Sequence, residues 1–513
     1  MRENSHLTLT LVIADSQQNF HVIGVNGHER LNAPFRFEID LISPERPLAQ
    51  ASMLHRSAYL SMGNTGDTLH GIHGRVHALT PLYFGQDANL YRLTLMPALQ
   101  QLDGARHKRT YHGMSVLDIL HQVLQRYALL DCNVCFDRMV GTYPPRAQCT
   151  QYEENDLHFI SRLCEEEGIT FRFEHAPHSH ALVFSDDPMS FSEWPRAASV
   201  DHLSERLSAR HCYSSHSGEH YVPPTSALVH DAFADNQALW IAYGEEAGAA
   251  RCAQTQRRAL ERLRCERQDI VGRSTQPWLR CGQIMRIEDQ PEPRFNDHWL
   301  PTEVRHTAWQ LNPLRNCRAG DVIQILQAIA CHDANPGGVA RLLAPAPDDG
   351  RPPTEHYENH FQVIPWSMPF RPPLRHPKPR STGWEKARRL AGPADRTGRI
   401  PIRFDWEDED APPGGGARVT SELATHHDSA CLKVGFFDGD PDQPVICGVY
   451  ENLPTQQGRH DPRPDLPTPL QFESLNPLRL TGARATVEVH DEEIRYLPHA
   501  LPTQDAPLDF SDV

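Results

Sequence analysis

Residues 151–175 read QYEENDLHFISRLCEEEGITFRFEH, and two different periods succeed one another within this stretch. After Asn155, Leu157, Ile160 and Leu163 recur at three-residue spacing, which puts them on one face of a helix. Gly168 ends that helix, because glycine takes the left-handed C′ conformation without a Cβ penalty. Alternation begins at once. Ile169, Phe171 and Phe173 share one face of a strand, with Thr170, Arg172 and Glu174 on the other. One face can fill a barrel while the other meets water or a neighbour, and residues 180–184 supply the second arm of a hairpin.

Upstream, residues 7–14 (LTLTLVIA) and 35–41, with Phe35, Phe37, Ile39 and Leu41, read as strands, and 71–79 and 91–96 add two more. In 115–127, Val116, Leu117, Leu120, Val123, Leu124 and Tyr127 recur at helical spacing, and Ser115 with Asp118 forms an N-terminal capping pair. Downstream, 231–265 is helical, strands return at 281–287 and 301–308, and 333–356 is a long Pro/Gly/Asp loop. Residues 365–380 are proline-rich and mark a domain boundary near 375. From Arg399 on the chain is strand and turn. The turn GDPDQPV is built for rigidity. Gly439 can take a positive φ, Asp438, Asp440 and Asp442 can cap backbone donors, Pro441 fixes φ, and a strand resumes at Val445 and Ile446. The fold class is α+β, dominated by antiparallel β, with no tandem repeat.

Composition narrows the function. A chain of 513 residues with 39% hydrophobic and 23% charged residues calls for two to four globular units. The 43 prolines favour sheet edges and loops over long helices. A net charge of −16 repels phosphate backbones and argues against nucleic acid as a partner. The densest basic run, Arg371 to Arg389, is broken by prolines and reads as a solvated linker. The 12 cysteines mostly sit singly in apolar or helical contexts, as buried thiols of a reducing compartment do. The N-terminus reads as a first strand and not as a signal peptide. No stretch reaches 18 apolar residues, so no stable membrane insertion is expected.

Candidate chemistry is sparse. Cys132 and Cys135 form a lone C-x-x-C with no second pair to complete a zinc site. His211, His216 and His220 lie near Glu219, and His175, His178 and His180 make a second group. Both fall in loop-like sequence and neither carries H-E-x-x-H. Glu165, Glu166 and Glu167 could in principle supply paired carboxylates, but they read as a solvated helix end. Gly414 to Gly416 lack a following G-K-[ST] and read as a flexible turn. The sequence therefore assigns no catalytic residue, no metal ligand and no cofactor.

Five collinear segments carry a family resemblance: TLMPALQQLDGARHKRTYHGMSVLDIL (94–120), QYEENDLHFISRLCEEEGITFRFEH (151–175), NHFQVIPWSMPFRPP (359–373), GRIPIRFDW (398–406) and FFDGDPDQPVICGVYEN (436–452). Together they resemble the VgrG spike proteins of type VI secretion systems, which are similar to the baseplate hub and spike of contractile phage tails. The resemblance implies a phage-baseplate-hub-like double barrel over residues 1–375, two related β-barrel-like subdomains with packed helices. It implies an OB-fold-like small barrel over 376–455. That barrel is abbreviated, because residues 407–434 read as an acidic, glycine-rich loop. Residues 456–513 form a short Pro/Asp-rich C-terminal extension without an evident β-helix, their strand material confined to LRLTGARATVEVHDEEIRYL.

The resemblance further implies a homotrimer that caps a hexameric, Hcp-like tube protein, contacts baseplate components, and carries an effector, an adaptor or a PAAR-type tip protein. Such a chain is cytoplasmic before firing and is injected into a target cell without a signal peptide. The alternatives are a short hub-derived adaptor, a phage-tail-like baseplate hub and, from another class, a secreted hydrolase. A wall-degrading domain would need about 100–150 residues of its own, more than remain after the small barrel.

Overall fold

The computed structural model describes residues 7–16, 20–44, 50–64, 70–129, 133–207, 245–288, 290–332, 355–394, 398–407, 415–419, 431–449, 478–481, 485–489 and 494–498. Residues 1–451 form one compact unit and residues 452–513 a second.

The first unit begins with β1 (Leu7–Ile13), β2 (His21–Arg30), β3 (Arg36–Ser43), β4 (Ser57–Asn64), β5 (Gly71–Phe84) and β6 (Asn89–Met96). They pair antiparallel in the order β1-β4-β5-β6-β3-β2. Alternation turns Leu9, Leu11, Phe37, Ile39, Leu93 and Leu95 into one core, where each fully buried side chain contributes roughly 1.5–3 kcal/mol. Gly27 is required there, since a Cβ would stand 2.1 Å from Cε1 of Phe37.

The chain then leaves the sheet through β7 (His107–Met114), α1 (Val116–Arg126), β8 (Val134–Phe136), β9 (Arg146–Glu154), α2 (Asp156–Glu167), β10 (Thr170–Ala176) and β11 (Ser179–Ser185). Both helices start and stop as their sequences predict. Ser115 and Asp118 form a capping box, the Asn155 side chain accepts from the His158 N–H, and Gly168 takes φ 67°. Their apolar faces, with Ile119, Leu120, Phe159, Ile160, Phe171 and Phe184, make a separate core. The hairpin 170–185 forms as predicted. Its polar face meets protein: Thr170 and Arg172 are buried, and Arg172 donates to the Ser190 carbonyl at 2.9 Å.

The sheet resumes with β12 (Glu193–Ala198), β13 (His202–Leu207), β14 (Gln268–Ser274), β15 (Ile284–Ile287), β16 (His298–Gln310) and β17 (Glu355–Pro365). Two helices are interleaved, α3 (Glu245–Arg267) before β14 and α4 (Ala319–His332) before β17. Of the predicted helix 231–265, residues 231–244 lie outside the described residues. So do residues 333–354 of the predicted loop, whose last two positions instead begin β17.

Antiparallel pairing of β16 with β2 joins the two halves into a 12-stranded sheet, ordered β1-β4-β5-β6-β3-β2-β16-β17-β14-β13 with β15 on β16 and β12 on β15. The second half has its own core, with Ile270, Met285, Trp299, Val304 and Phe361. The far end curls back. The Gln310 amide accepts from the Leu9 N–H at 3.1 Å and donates to the carbonyls of Leu9 and Val22 at 2.8 Å each. This side chain satisfies β1 where a strand edge would otherwise stay open.

The small barrel closes from β18 (Glu385–Arg389), β19 (Ile400–Phe404), β20 (Gly415–Val419), β21 (Cys431–Phe436) and β22 (Pro444–Val449), ordered β18-β19-β20-β22-β21. Its core holds Ala387, Ile402, Phe404, Leu432, Val434 and Ile446. The expectation of an abbreviated barrel is corrected here. β20 lies inside the stretch read as loop, and its parallel pairing with β22 completes the closure. Gly415 and Gly416, read as a flexible turn, are strand residues. Glycine suits this position because a Cβ on Gly416 would meet Arg399 Cβ at 2.7 Å, and glycine's weak β-propensity hid the strand.

In the second unit, β23 (Leu478–Thr481), β24 (Ala485–Val489) and β25 (Ile494–Pro498) form a three-stranded antiparallel sheet, within the stretch singled out as strand material.

Candidate functional site: the junction of hub and small barrel

Residues 371–381 lead from the hub sheet into β18 and are pinned along their length. Arg371 is buried, pairs with Glu261 Oε2 at 2.6 Å, and donates to the carbonyls of Gly168 (3.0 Å) and Asp186 (2.7 Å). Glu165, at the end of α2, accepts the backbone N–H groups of Arg375 and His376 at 2.8 Å each and meets His376 Nδ1 at 2.7 Å. Lys378 Nζ stands 2.6 Å from Asp440 Oδ1 and 2.6 Å from Asp442 Oδ2. The Ser381 N–H donates to the Gly439 carbonyl at 2.8 Å. Arg371 and Lys378 of the basic run thus belong to a packed strap and not to a solvated linker, while Arg375, Arg380, Lys386 and Arg388 are exposed. The strap's counterions come from α2, α3 and a turn some 60 residues downstream, partners that no local reading supplies.

The GDPDQPV turn is the other half of the junction. Gly439 takes φ 73°, as its sequence predicts, and Asp440 Oδ1 accepts the Asp442 N–H at 2.9 Å. The turn then docks on β9. Thr150 donates its N–H to Asp442 Oδ1 at 2.5 Å, and the Pro441 carbonyl accepts from Gln148 Nε2 (3.1 Å) and Thr150 Oγ1 (3.2 Å). On β18, Glu385 Oε1 takes Lys108 Nζ at 2.6 Å and the Tyr152 hydroxyl at 2.5 Å.

Beneath the turn lies a buried charge network. Arg162 is fully buried. It donates to Glu154 Oε1 at 2.6 Å and Oε2 at 3.2 Å, and to Glu166 Oε1 at 2.8 Å. Arg146 pairs with Glu166 at 3.0 Å and Glu167 at 2.7 Å. Burial would raise the Glu166 pKa, but Arg162, Arg146 and Lys378 outweigh it and hold the carboxyl at about 2. Burial likewise disfavours charged Lys378, yet Asp442 and Asp440 keep its pKa above the ordinary value. Burial pushes the Cys149 thiol up to about 12, so it stays protonated.

The structure also places the other candidates. Glu165 and Glu167 are buried and Glu166 is half-buried, so the solvated-helix-end reading is corrected: Glu166 and Glu167 pair with Arg146, and Glu165 accepts the N–H groups of Arg375 and His376. His175 and His180 face one another across the β10–β11 hairpin, with His178 in its turn, so this group belongs to a regular hairpin and not to a loop. Cys135 is an exposed free thiol on β8, and Cys132 lies outside the described residues. So do His211, His216, His220 and Glu219, as well as Gly414. Among the described residues no group of three or more His, Cys, Asp or Glu is placed to hold a metal ion. Among them, too, no helix is long and apolar enough to cross a membrane. Thr150, Glu154, Arg162 and Lys378 escaped the sequence reading. Only the neighbouring GDPDQPV motif signalled the junction, and it did not show what it docks against.

A 12-stranded sheet in two halves is thus strapped to a small closed barrel, with buried ion pairs at the seam. The chain belongs to the phage tail baseplate hub (GPD) family, which it matches over residues 28–312. It is 31% identical over 501 residues to the type VI secretion system spike protein VgrG4b of Pseudomonas aeruginosa, covering 89% of this chain and 58% of that protein. It is 31% identical over 478 residues to the spike protein VgrG5 of the same organism, covering 86% and 57%. The chain therefore spans less than two thirds of the length of these relatives. Its fold is similar to that of the Escherichia coli type VI secretion component c3393, with a TM-score of 0.61 and 23% identity over 86% of this chain and 100% of the other.

Proposed function

We propose that the chain is the structural hub of a type VI secretion spike, assembled as a homotrimer and acting by shape and contact, without catalysis. The observation that carries this reading is the strapped junction. A thrust delivered to the hub sheet reaches the small barrel through Glu165, Lys378 and the Thr150–Asp442 bond with no free hinge between them. The carboxylates that could have formed an acid–base pair are held by Arg146, Arg162 and His376, which favours mechanics over hydrolysis. The sheet has two halves with separate cores, and three copies would cap a hexameric, Hcp-like tube, as the family resemblance implies. Baseplate components would contact the hub, and an effector, adaptor or PAAR-type tip would ride beyond the small barrel. The protein would wait in the cytoplasm and leave by injection.

Native mass spectrometry or light scattering of the purified chain, alone and with a hexameric tube protein, tests this. Three chain masses and a joint complex are expected. A chain that stays monomeric at micromolar concentration and ignores the tube overturns the reading.

A further inference from the structure

A cluster of three histidines joins hairpin β10–β11 to strand β5, away from the junction. His73 is buried on β5, and His175 and His180 are half-buried on the hairpin. Their rings pack with Phe35 and Phe173, with His175 5.1 Å from Phe35 and His180 6.1 Å from Phe173 between ring centroids.

The hydrogen bonds determine the protonation state. A backbone N–H can only donate, so an imidazole nitrogen that accepts from it carries no proton. The Ala98 N–H donates to His180 Nε2 at 3.2 Å. Neutral His180 therefore bears its proton on Nδ1, which lies 3.0 Å from His73 Nδ1 and donates to it. His73 in turn accepts on Nδ1 and keeps its proton on Nε2. The His73 N–H donates to His175 Nδ1 at 3.2 Å. His175 has a second option, because its Nδ1 is also 3.2 Å from the His73 carbonyl and can donate there once protonated. His73 and His180 show no such alternative. One more proton on His180 sets Nε2–H against the Ala98 N–H, and one more on His73 sets Nδ1–H against the His180 Nδ1–H.

The surroundings do not accommodate the added charge. Arg75 and His178 bear on His73, and Arg75, His73 and His175 bear on His180, all disfavouring its cation. Arg280 and Glu29 face His175. Glu29 is the one carboxylate among these groups, and it is already engaged by the Cys281 N–H at 3.1 Å, with Arg280 at 3.8 Å and His306 at 3.6 Å. Burial first, then neighbouring cations, hold His73 at about 4 and His180 at about 3, below the ordinary imidazole value of 6.5.

We propose that the His73–His180 pair is an acid-released latch, closed while both imidazoles are neutral acceptors and opened by their protonation, that holds hairpin β10–β11 on the first half of the hub sheet. The released hairpin binds protons that the latched one excludes. Its contribution is therefore complete above about pH 6.5 and is lost progressively as pH falls toward the folded values. The latch would loosen the hub as pH falls. It does not depend on the proposed secretion role.

Amide hydrogen exchange at Ala98 and His73, whose N–H groups donate to His180 and His175, measured in the full chain and corrected for the intrinsic effect of pH on exchange, tests the proposal between pH 7.5 and 5. The opening constant is expected to rise about tenfold per pH unit for each latch histidine below about 6.5. His180→Gln keeps one acceptor and one donor but cannot be protonated, so it should lower the count of linked protons by one. His73→Gln carries the same expectation as His180→Gln should either variant fold poorly. Protection in the parent chain that does not change with pH overturns the latch. So does an unaltered pH dependence in a folded His180→Gln or His73→Gln variant.

Discussion

Thr150 and Asp442 lie 292 residues apart, yet the Thr150 N–H donates to Asp442 Oδ1 at 2.5 Å, and this bond joins the hub to the small barrel. Asp442 also neutralises Lys378, so one side chain serves both the docked turn and the strap. Asp442→Ala leaves a backbone donor unpaired and removes one of the two carboxylates on Lys378. A loss of about 1–3 kcal/mol is expected in chemical denaturation, and Asp442→Asn, which keeps an acceptor, should lose less.

Arg162 is held by Glu154 and Glu166 and is almost inaccessible. Removing one partner of a buried ion pair leaves the other charged and unsolvated. Arg162→Met should cost about 3–5 kcal/mol. Pairing it with Glu154→Leu should recover part of that loss, a non-additivity that a double-mutant cycle measures directly.

Glu166 governs part of the acid limit. Its folded value, about 2, lies below the ordinary 4.5. Its contribution is therefore complete above pH 4.5 and fades as pH falls toward 2. A shift of that size corresponds to about 3 kcal/mol. Unfolding free energies of the parent chain and Glu166→Gln should differ by an amount of that order at pH 6 and converge near pH 2.

Gly439 sits at φ 73°, and a Cβ there would lie 3.1 Å from the Ser381 carbonyl oxygen, which accepts no closer approach without moving the strap. Gly439→Ala should cost about 1–2 kcal/mol and lower the melting temperature by a few degrees. Calorimetry reads this directly.

Much of the fold is legible in the sequence where the cause is local. The capped helix at Ser115, the helix that follows Asn155, its stop at Gly168, the hairpin beyond and the positive φ of Gly439 are all present as predicted. Each depends on residues within a few positions of one another. The errors share a different cause. Gly415 and Gly416 have little strand propensity of their own and become strand because β19 pairs with them and β22 with Arg418 and Val419 just beyond. Arg371 and Lys378 look like solvated charges until Glu261, Asp440 and Asp442 are brought beside them. The three glutamates closing α2 look exposed for the same reason.

The sequence by itself determined the β-rich class, the first two capped helices, the rigid turn and the hub-and-spike kinship, because period, capping and turn chemistry are written in neighbouring residues, while α4 went unread. Only the tertiary structure decided that QYEENDLHFISRLCEEEG is the seat of the junction. Glu165, and Thr150 just before this stretch, gain their roles from partners 97 to 292 residues away, while Glu154, Arg162, Glu166 and Glu167 gain theirs from burial beside one another and Arg146. That stretch opens as a helix-to-hairpin signal in the sequence, and in the folded chain it is also the surface on which strap and turn close.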